Sequence, residues 1–290
     1  MAHTRTGGFP IGFRRGWSDW QKDLDGVIRW AKDHDLSVID LGKDGDKTAP
    51  PVADAGLLVG SVEMAEWQGM ISADGKTRAR AIDTNSAYIE ACAKSGVTNF
   101  FLVMLPENPE LPRTENFGYM VESFTELAPV LEAHNAHIVI EGWPGPGALC
   151  CTPEGYRGLF ERVPSPAMGI NYDPSHLIRM GIDHLRFLRE FIGRVYHVHG
   201  KDTELLPENT YEYGQEQPPT FGKPYAFGSM HWRYTIPGHG VTSWVEVFHL
   251  LKQAGYKGAV SVELEDHNFN GTEEGDKRGI LLGVDFLKGC

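Results

Sequence analysis

The sequence predicts an α/β protein with the (β/α)8 TIM barrel fold, in a single domain that spans residues 1–290. Short apolar runs alternate with amphipathic helical stretches along the whole chain, which is typical of repeated βα units around a parallel sheet. There are eight such runs, and 290 residues is a common length for an α/β barrel. The chain lacks the glycine-rich motifs of the common nucleotide-binding sheets, which also favours a closed barrel.

The predicted elements follow one another in order. The predicted strands are residues 9–13, 38–41, 57–63, 99–105, 137–141, 168–173, 195–201 and 259–263. The predicted helices are residues 20–34, 76–95, 119–134, 153–162, 182–191, 243–254 and 273–287. The segment 40–56 is polar and rich in Gly and Pro, so we expect little helix in the second βα unit.

An insertion at about residues 203–235 interrupts this rhythm. It is rich in Pro, Gly, Tyr and Glu, and it is far longer than a usual connection of about 4–6 residues. Because it follows the C-terminal end of a predicted strand, it falls on the face where barrel enzymes build their active sites. We therefore expect a lid or a substrate-binding loop, with a surface excursion or an oligomer contact as the alternative.

Charge and composition narrow the partners and the location. The formal net charge is -12, and an acidic surface repels phosphate backbones, so we expect no nucleic-acid partner. Residues 1–8 lack the apolar stretch of a signal peptide, and the strongest apolar run, residues 100–105, is too short to span a bilayer. We therefore expect a cytoplasmic protein with no membrane partner.

Polar side chains share one face on each of the last four predicted strands, because side chains alternate along a strand. The opposite faces are largely apolar and must pack beneath the helices, so the polar faces point into the barrel. At or near the C-terminal end of each strand stands a side chain that can bind metal, namely Glu141, Asp173, His199 and Glu263. His197 faces the same way one layer deeper, where a supporting or core-filling role is expected.

Four such groups converging on one end of a barrel would be costly to bury unpaired. A shared divalent cation removes that cost, so we predict one metal ion bound by these four residues. Direct hydrogen bonds among them across the barrel mouth are the alternative. Oxygen and imidazole ligands without thiolate favour Mn²⁺, with Mg²⁺, Co²⁺ and Zn²⁺ as further candidates.

Several motifs carry a resemblance to a known family. They are NYDPSHL at 171–177, HVHGKD at 197–202 and WRYTIPGHG at 232–240, together with VIE at 139–141 and SVE at 261–263. This half of the chain resembles the sugar phosphate isomerase/epimerase superfamily, the xylose isomerase-like barrels. The resemblance implies a single metal held by Glu141, Asp173, His199 and Glu263. The motifs ELED at 263–266 and PGHG at 237–240 are similar to a branch that acts on 3-keto-glycosides.

The predicted function is that of an isomerase or epimerase of carbohydrate metabolism, acting on a small sugar or polyol. A metal-bound carbonyl of a ketose, inosose or keto-sugar would make the neighbouring carbon acidic. Glu141 and Glu263 are then the catalytic base and its partner acid. Departure of a β-oxygen substituent would instead make the enzyme a lyase, or a deglycosidase that releases the aglycone of a 3-keto-glycoside.

Four further residues are predicted to contact the substrate. His176 would bind a hydroxyl or an oxyanion, and Lys201 would stabilise negative charge unless a salt bridge to Asp202 or Glu265 engages it. Arg233 would bind a hydroxyl, carboxylate or phosphate. Trp143, near the end of the fifth strand, would offer an apolar wall to a sugar face.

Two other classes of protein compete with this prediction. A metal-dependent abasic-site endonuclease resembles the same superfamily, but it needs extra histidines that the third and fourth predicted strands lack. A non-catalytic sugar-binding subunit would need no metal. We expect a homo-oligomer, dimer or tetramer, with a heteromer as the alternative.

Overall fold

Eight parallel strands close into one barrel in the computed structural model, which describes residues 8–290. The barrel strands are β1 (Ile11–Arg14), β2 (Val38–Leu41), β3 (Leu58–Glu63), β4 (Asn99–Val103), β5 (His137–Glu141), β6 (Met168–Tyr172), β7 (Val195–Gly200) and β10 (Val260–Val262). Their order around the barrel is β1-β10-β7-β6-β5-β4-β3-β2, and the predicted TIM barrel fold is therefore confirmed. Two more strands, β8 (Asp202–Leu205) and β9 (Trp232–Thr235), form a separate sheet.

Helices connect the strands. They are α1 (Asp19–Lys22), α2 (Leu24–Asp33), α3 (Gly45–Asp54), α4 (Gly75–Ala93), α5 (Arg113–Ala133), α6 (Pro153–Arg162), α7 (Pro174–Arg179), α8 (His184–Phe191), α9 (Pro207–Tyr213), α10 (Trp244–Gln253) and α11 (Glu273–Lys288). Between residues 8 and 290, no helix is long and apolar enough to cross a membrane. The expectation about a signal peptide falls largely on residues 1–7, which lie outside the described residues.

The chain divides into two compact units. The first unit comprises residues 8–37, 173–190 and 199–290, and the second comprises residues 38–172 and 191–198. In the first unit, β1 pairs with β10 in parallel register from Ile11↔Val260 to Phe13↔Val262. In the second unit, β5 pairs with β4 and β6, and Glu141 lies opposite Val103 on one side and Asn171 on the other.

The insertion is not a plain loop. β8 and β9 pair in antiparallel register from Asp202↔Thr235 to Leu205↔Trp232, and α9 lies between them. Cross-strand pairing of this kind has no periodic signal in a segment so rich in Gly and Pro, and the sequence prediction missed it. The predicted role as a lid or substrate-binding loop stays a prediction.

Helix α3 contradicts the expectation of little helix after the second strand. It spans ten residues and carries Pro50 and Pro51 inside it. A proline in a helix removes one N–H donor and crowds the preceding turn, but Ala49 and Val52 are buried here. The Thr48 hydroxyl donates to the Asp44 carbonyl one turn earlier (2.9 Å), as the Thr48 backbone N–H also does (3.0 Å). Burial of the apolar face therefore outweighs the low intrinsic helix propensity.

A buried acid–imidazole pair lies in the second unit. The Nε2 atom of His197 is 2.7 Å from Oδ2 of Asp40, and both residues are at most 1% exposed. Gly60 on β3 makes room for the pair, because a Cβ atom there would lie 2.2 Å from Asp40 Oδ1 and 2.8 Å from His197 Cε1. His197 was predicted to lie one layer deeper than the metal ligands, and its contact with the Asp40 carboxylate holds it there.

We predict that Gly60→Ala lowers the free energy of unfolding by about 1–3 kcal/mol, since the added methyl group must displace the Asp40–His197 pair. Chemical denaturation followed by circular dichroism measures this change. Gly118→Ala is the matched control, because a Cβ at Gly118 on α5 meets nothing within 4 Å and alanine favours a helix by up to about 1 kcal/mol. Equal stability of the two variants would contradict the close packing at Gly60.

Candidate active site

Asp173 marks the end of β6 and the start of α7. Its Oδ1 atom accepts a hydrogen bond from the backbone N–H of Ser175 (2.9 Å), which caps the helix, and Pro174 occupies the first helical position. Both features favour a helix start at this point. The side chain is buried, and its Oδ2 atom lies 3.3 Å from Nζ of Lys201 and 3.4 Å from Nε2 of His176.

His176 is oriented by a phenol and a guanidinium. Its Nδ1 atom lies 2.6 Å from the hydroxyl of Tyr234, and Arg179 donates to the same hydroxyl (2.6 Å). Because the hydroxyl accepts from Arg179, we assign it as the donor to His176 Nδ1. The ring proton of His176 then lies on Nε2, which faces Asp173. Burial raises the pKa of Tyr234 against the opposing effect of Lys201 and Arg179, so the phenol keeps its proton.

Lys201 lies among three carboxylates of the first unit. Its ammonium group donates to Glu263 Oε2 (2.5 Å) and Glu265 Oε2 (2.9 Å), and Asp173 is the third neighbour. The side chain is only 2% exposed and its Nζ atom also lies 4.6 Å from the ring centre of Tyr234. A buried ammonium in this position offsets the cost of burying the acids together. The salt bridge to Glu265 that the sequence left open is present.

Glu263 follows β10 directly and lies against two cationic side chains and an imidazole. Its Oε1 atom lies 3.1 Å from Nε of Arg14, and its Oε2 atom lies 3.4 Å from Nδ1 of His199. Burial alone would raise the pKa of Glu263, but Lys201, His199 and Arg14 together hold that pKa well below its usual range. Glu263 is therefore an ionised carboxylate at neutral pH.

Glu141 belongs to the second unit. It ends β5, is 4% exposed, and accepts a hydrogen bond on Oε2 from Nδ2 of Asn171 (2.9 Å). Trp143 follows in the next loop, where it is half-buried and its ring packs against Gly145. The predicted roles of Glu141 and Trp143 stay predictions.

Arg233, a predicted substrate contact, is engaged by carboxylates. It donates through Nε to Glu204 (2.5 Å) and through Nη1 to Asp266 (3.1 Å). Asp266 also accepts hydrogen bonds from the Thr235 hydroxyl (2.5 Å) and the backbone N–H of Ile236 (3.2 Å). These contacts tie β9 to the segment after β10, so a substrate would have to compete for Arg233.

Asp202 serves the framework around the site. Its Oδ1 atom accepts from the backbone N–H groups of Thr203 (2.8 Å) and Thr242 (2.9 Å). Its Oδ2 atom accepts from the Gly238 N–H and the Trp244 indole N–H, each at 3.2 Å. With both oxygens engaged and the side chain fully buried, Asp202 joins β8 to the turn before α10.

The donor set of the first unit suits a hard divalent cation. Ligand atoms of Asp173, His176 and Glu263 lie within 4.8 Å of one another, and His199 contacts Glu263. The Oδ2 atom of Asp173 is buried and accepts no hydrogen bond from any residue between 8 and 290. Carboxylate oxygens and imidazole nitrogens without thiolate are the ligands of Mn²⁺, Mg²⁺ or Co²⁺, so these residues fit the predicted metal.

Two residues of this cluster were missed by the sequence prediction, Arg14 and Tyr234. Arg14 ends β1. The alternation of side chains along that strand, used for the last four predicted strands, could have indicated it. Tyr234 lies in the insertion, where no periodicity indicated a strand, so the sequence held no comparable signal for it.

We predict that Lys201→Met lowers the free energy of unfolding of metal-free protein by about 3 kcal/mol at pH 7, because it leaves buried carboxylates without their cation. The lowered pKa of Glu263 stabilises the folded state above roughly pH 4, and this contribution is lost as the pH falls through the folded pKa. The deficit of the variant should therefore shrink in acid. Urea titrations with chelator at pH 7 and at about pH 3, below the unfolded pKa of about 4.3, measure it.

Lys22→Met is the control for this experiment. Lys22 pairs with Asp19 at 2.6 Å on α1 with both side chains exposed, and an exposed pair of this kind contributes roughly 0.5 kcal/mol. A loss at Lys201 no larger than that at Lys22, or one independent of pH, would contradict the assigned role.

The family model described as Xylose isomerase-like TIM barrel matches residues 13–290. Among curated relatives, the uncharacterized protein YfiH of Bacillus subtilis (strain 168) is 34% identical over 142 residues, which is 48% of this chain and 42% of that protein. The inosose dehydratase of Geobacillus thermodenitrificans (strain NG80-2) is 30% identical over 151 residues, 52% of this chain and 48% of that protein. These matches thus span less than half of either relative.

Solved structures with the same fold include sugar epimerases. The 3-keto-D-glucoside 4-epimerase of E. coli superposes with a TM-score of 0.71 at 13% identity, over 97% of this chain and 100% of that one. A D-psicose 3-epimerase of Clostridium cellulolyticum H10 superposes with a TM-score of 0.70 at 15% identity, over the same shares. At such identities the likeness extends to the fold alone. With nearly the whole length matched by the family model and the barrel closed in the order described, this chain belongs to the xylose isomerase-like TIM barrel family.

Proposed function

We propose that the chain is a divalent-metal-dependent sugar isomerase or epimerase, which transfers a proton at the carbon beside the carbonyl of a ketose, inosose or keto-sugar. The observation that supports it most is the group of Asp173, His199, Lys201 and Glu263, in which acids, an imidazole and a cation lie in direct contact. The first three are buried, and the Glu263 side chain is 13% exposed. Buried titratable groups in contact are typical of acid–base sites. A purely structural core would gain more from apolar side chains.

The proposed metal ligands are Glu141, Asp173, His199 and Glu263, with Mn²⁺ preferred over Mg²⁺, Co²⁺ and Zn²⁺. In a parallel barrel the carboxyl ends of all strands lie at one rim, which is the ground for including Glu141. His176 also has a ligand atom within 4.8 Å of those of Asp173 and Glu263, so it competes with His199 for the imidazole position. The proton placed on its Nε2 atom in the arrangement inferred above favours His199. When bound, the cation would supply Lewis-acid polarisation of the substrate carbonyl.

Glu263 is proposed to accept the proton. In the structure Lys201 and Arg14 keep it ionised and a weak base. A substrate oxygen that draws the Lys201 ammonium away would remove countercharge from Glu263, raise its pKa and strengthen it as a base. Glu263 would thus become a strong base only after the substrate has bound. Glu141 is proposed to deliver a proton from the other side.

His176 and Tyr234 are proposed to orient the substrate. The chain of contacts from Arg179 through the Tyr234 hydroxyl holds the imidazole with its Nε2–H directed at the acidic cluster. A fixed donor there suits a substrate hydroxyl or a developing oxyanion. The buried phenol and the guanidinium keep this donor in one orientation without reorganisation.

Elimination is the second candidate, and a specific contact favours it. The Lys201 ammonium lies between Glu263 and Glu265, so one group could protonate a departing oxygen while the neighbouring carboxylate holds the abstracted proton. The similarity to an inosose dehydratase is consistent with this chemistry. Loss of water from an inosose, or of an aglycone from a 3-keto-glycoside, would be the product-forming step.

We predict that Glu263→Gln and Glu141→Gln each reduce turnover at least about 100-fold, because each removes a proton-transfer group. The assay incubates ketoses, inosose and 3-keto-glycosides with Mn²⁺ in D₂O and follows deuterium wash-in by mass spectrometry. An unchanged carbon skeleton with one deuterium indicates epimerisation or isomerisation, and loss of water or of the aglycone indicates elimination.

Glu246→Gln is the matched control, since Glu246 forms an exposed ion pair with Arg189 on the surface (3.0 Å). Near wild-type exchange in either active-site variant, with metal present and the fold intact, would refute the two-carboxylate mechanism.

We predict that chelation abolishes exchange and that Mn²⁺ restores it, with about one metal ion bound per chain, because one donor set of this kind holds one ion. Asp173→Asn should lower the bound metal without unfolding the barrel. Metal content by plasma mass spectrometry measures both. Three zinc ions per chain would favour the nuclease, and a metal-free protein that still binds sugar would favour the binding subunit.

A further inference from the structure

A cleft in the first unit opens beside Glu263. It has a volume of about 210 Å³, and residues that line it include Arg14, Trp17, Phe227, Glu263, Leu264 and Asp276. We call it the outer cleft. A closed cavity of about 150 Å³ suffices for benzene, so this space holds one six-membered ring with its substituents. Of the groups proposed for metal binding and proton transfer, Glu263 and Glu265 line it.

Two aromatic side chains flank the outer cleft. Trp17 is 76% exposed, and the Arg14 guanidinium lies 5.5 Å from its ring centre. Phe227 is 40% exposed and has a positive φ of 56°. Such a backbone conformation is unfavourable for a bulky residue and persists only when its surroundings hold it. Here the Tyr234 N–H donates to the Phe227 carbonyl (2.8 Å), so the backbone at Phe227 is held against β9.

A buried carboxylate lies at another part of the lining. Asp276 is 2% exposed, and its Oδ2 atom accepts hydrogen bonds from the Ser18 hydroxyl and the Trp20 indole N–H. Its Oδ1 atom accepts none from residues 8–290. A buried acceptor left unsatisfied is costly, and a ligand hydroxyl would satisfy it. Aromatic walls with a few polar groups that fix orientation are typical of sites for small ring ligands.

Arg14 connects this cleft with the proposed reaction site. Its guanidinium contacts Glu263 on one side (3.1 Å) and Trp17 on the other. A ligand that places its reacting carbon at Glu263 therefore has an empty, ring-sized space next to that carbon. A free monosaccharide would not reach the exposed surfaces of the Trp17 and Phe227 rings.

We propose that the outer cleft binds a second ring, carried by the substrate on the sugar that reacts, so that the substrate is a glycoside rather than a free monosaccharide. The inference rests on the proposed function, which places the reacting sugar at Glu263. The ring presents an apolar face to Trp17 and Phe227, and a hydroxyl on it, where there is one, donates to Asp276. An aryl group and a second sugar ring share this chemistry.

Calorimetric titration with unreactive ligands tests the cleft without turnover. The probes are phenyl β-D-glucopyranoside, cellobiose and D-glucose, each added to Mn²⁺-loaded protein. We expect at least one ring-bearing probe to bind about tenfold more tightly than glucose, the gain expected from aromatic stacking. Tighter binding of the phenyl glycoside identifies an aryl substituent, and tighter binding of cellobiose identifies a sugar ring.

Variants assign the effect to the cleft. Trp17→Ala and Phe227→Ala should each reduce the preference over glucose severalfold, and Asp276→Asn should reduce it for cellobiose but not for the phenyl glycoside. Phe221→Ala is the matched control, because Phe221 lies in the same insertion, is 97% exposed and does not line the cleft. Equal affinity for all three probes, no detectable binding of either glycoside, or an equal loss in the Phe221 variant would overturn the proposal.

The outcome is separable from that of the proposed function. A ring preference that depends on Trp17, together with no deuterium exchange on any keto-sugar, would leave the cleft standing and reject the proton-transfer function. Deuterium exchange on free ketoses without any preference for ring-bearing probes would support the proton-transfer function and reject the cleft.

Discussion

The buried ammonium of Lys201 is the interaction on which the candidate site depends. Three carboxylates approach it within 3.3 Å, and carboxylates this close repel one another strongly when they are shielded from water. Lys201 and Arg14 supply the compensating charge, which is why Glu263, with only 13% of its side chain exposed, is ionised. A divalent cation at the same acids would compete with Lys201 for them. If the proposed function holds, metal, lysine and substrate oxygen would therefore be coupled through a single charge balance.

That balance explains why the insertion matters to the site. Through β9 it supplies Tyr234, whose ring covers the Lys201 ammonium and whose hydroxyl holds His176. The same strand carries Arg233, which ties the insertion to Asp266 after β10. Strand β8 begins at Asp202, whose four accepted hydrogen bonds hold the turn before α10. A movement of the sheet formed by β8 and β9 would disturb the orientation of His176 and the environment of Lys201 together.

The sequence predicted those features that carry a periodic pattern of polar and apolar residues. The period of two along β5, β6, β7 and β10 placed polar groups on one face, and the confirmed barrel explains why they lie at one rim. The pairing of Lys201 with Glu263 joins residues 62 positions apart, and no local pattern encodes such a contact. Helix α3 was missed because tertiary burial of Val52 outweighed two prolines. Tyr234 was missed because the pairing of β8 with β9 lies in a segment whose sequence shows no periodic pattern.

The acid–base group alone does not distinguish epimerisation from elimination, because both begin with loss of the same proton. The difference arises at the neighbouring oxygen, which either stays or leaves. Lys201 can act on that oxygen only if its ammonium is released from Glu263 and Glu265. A ring held in the outer cleft would fix the substituent relative to Arg14 and Glu263, and so determine which oxygen comes near the ammonium. The substituent, rather than the metal ligands, would then decide which product forms.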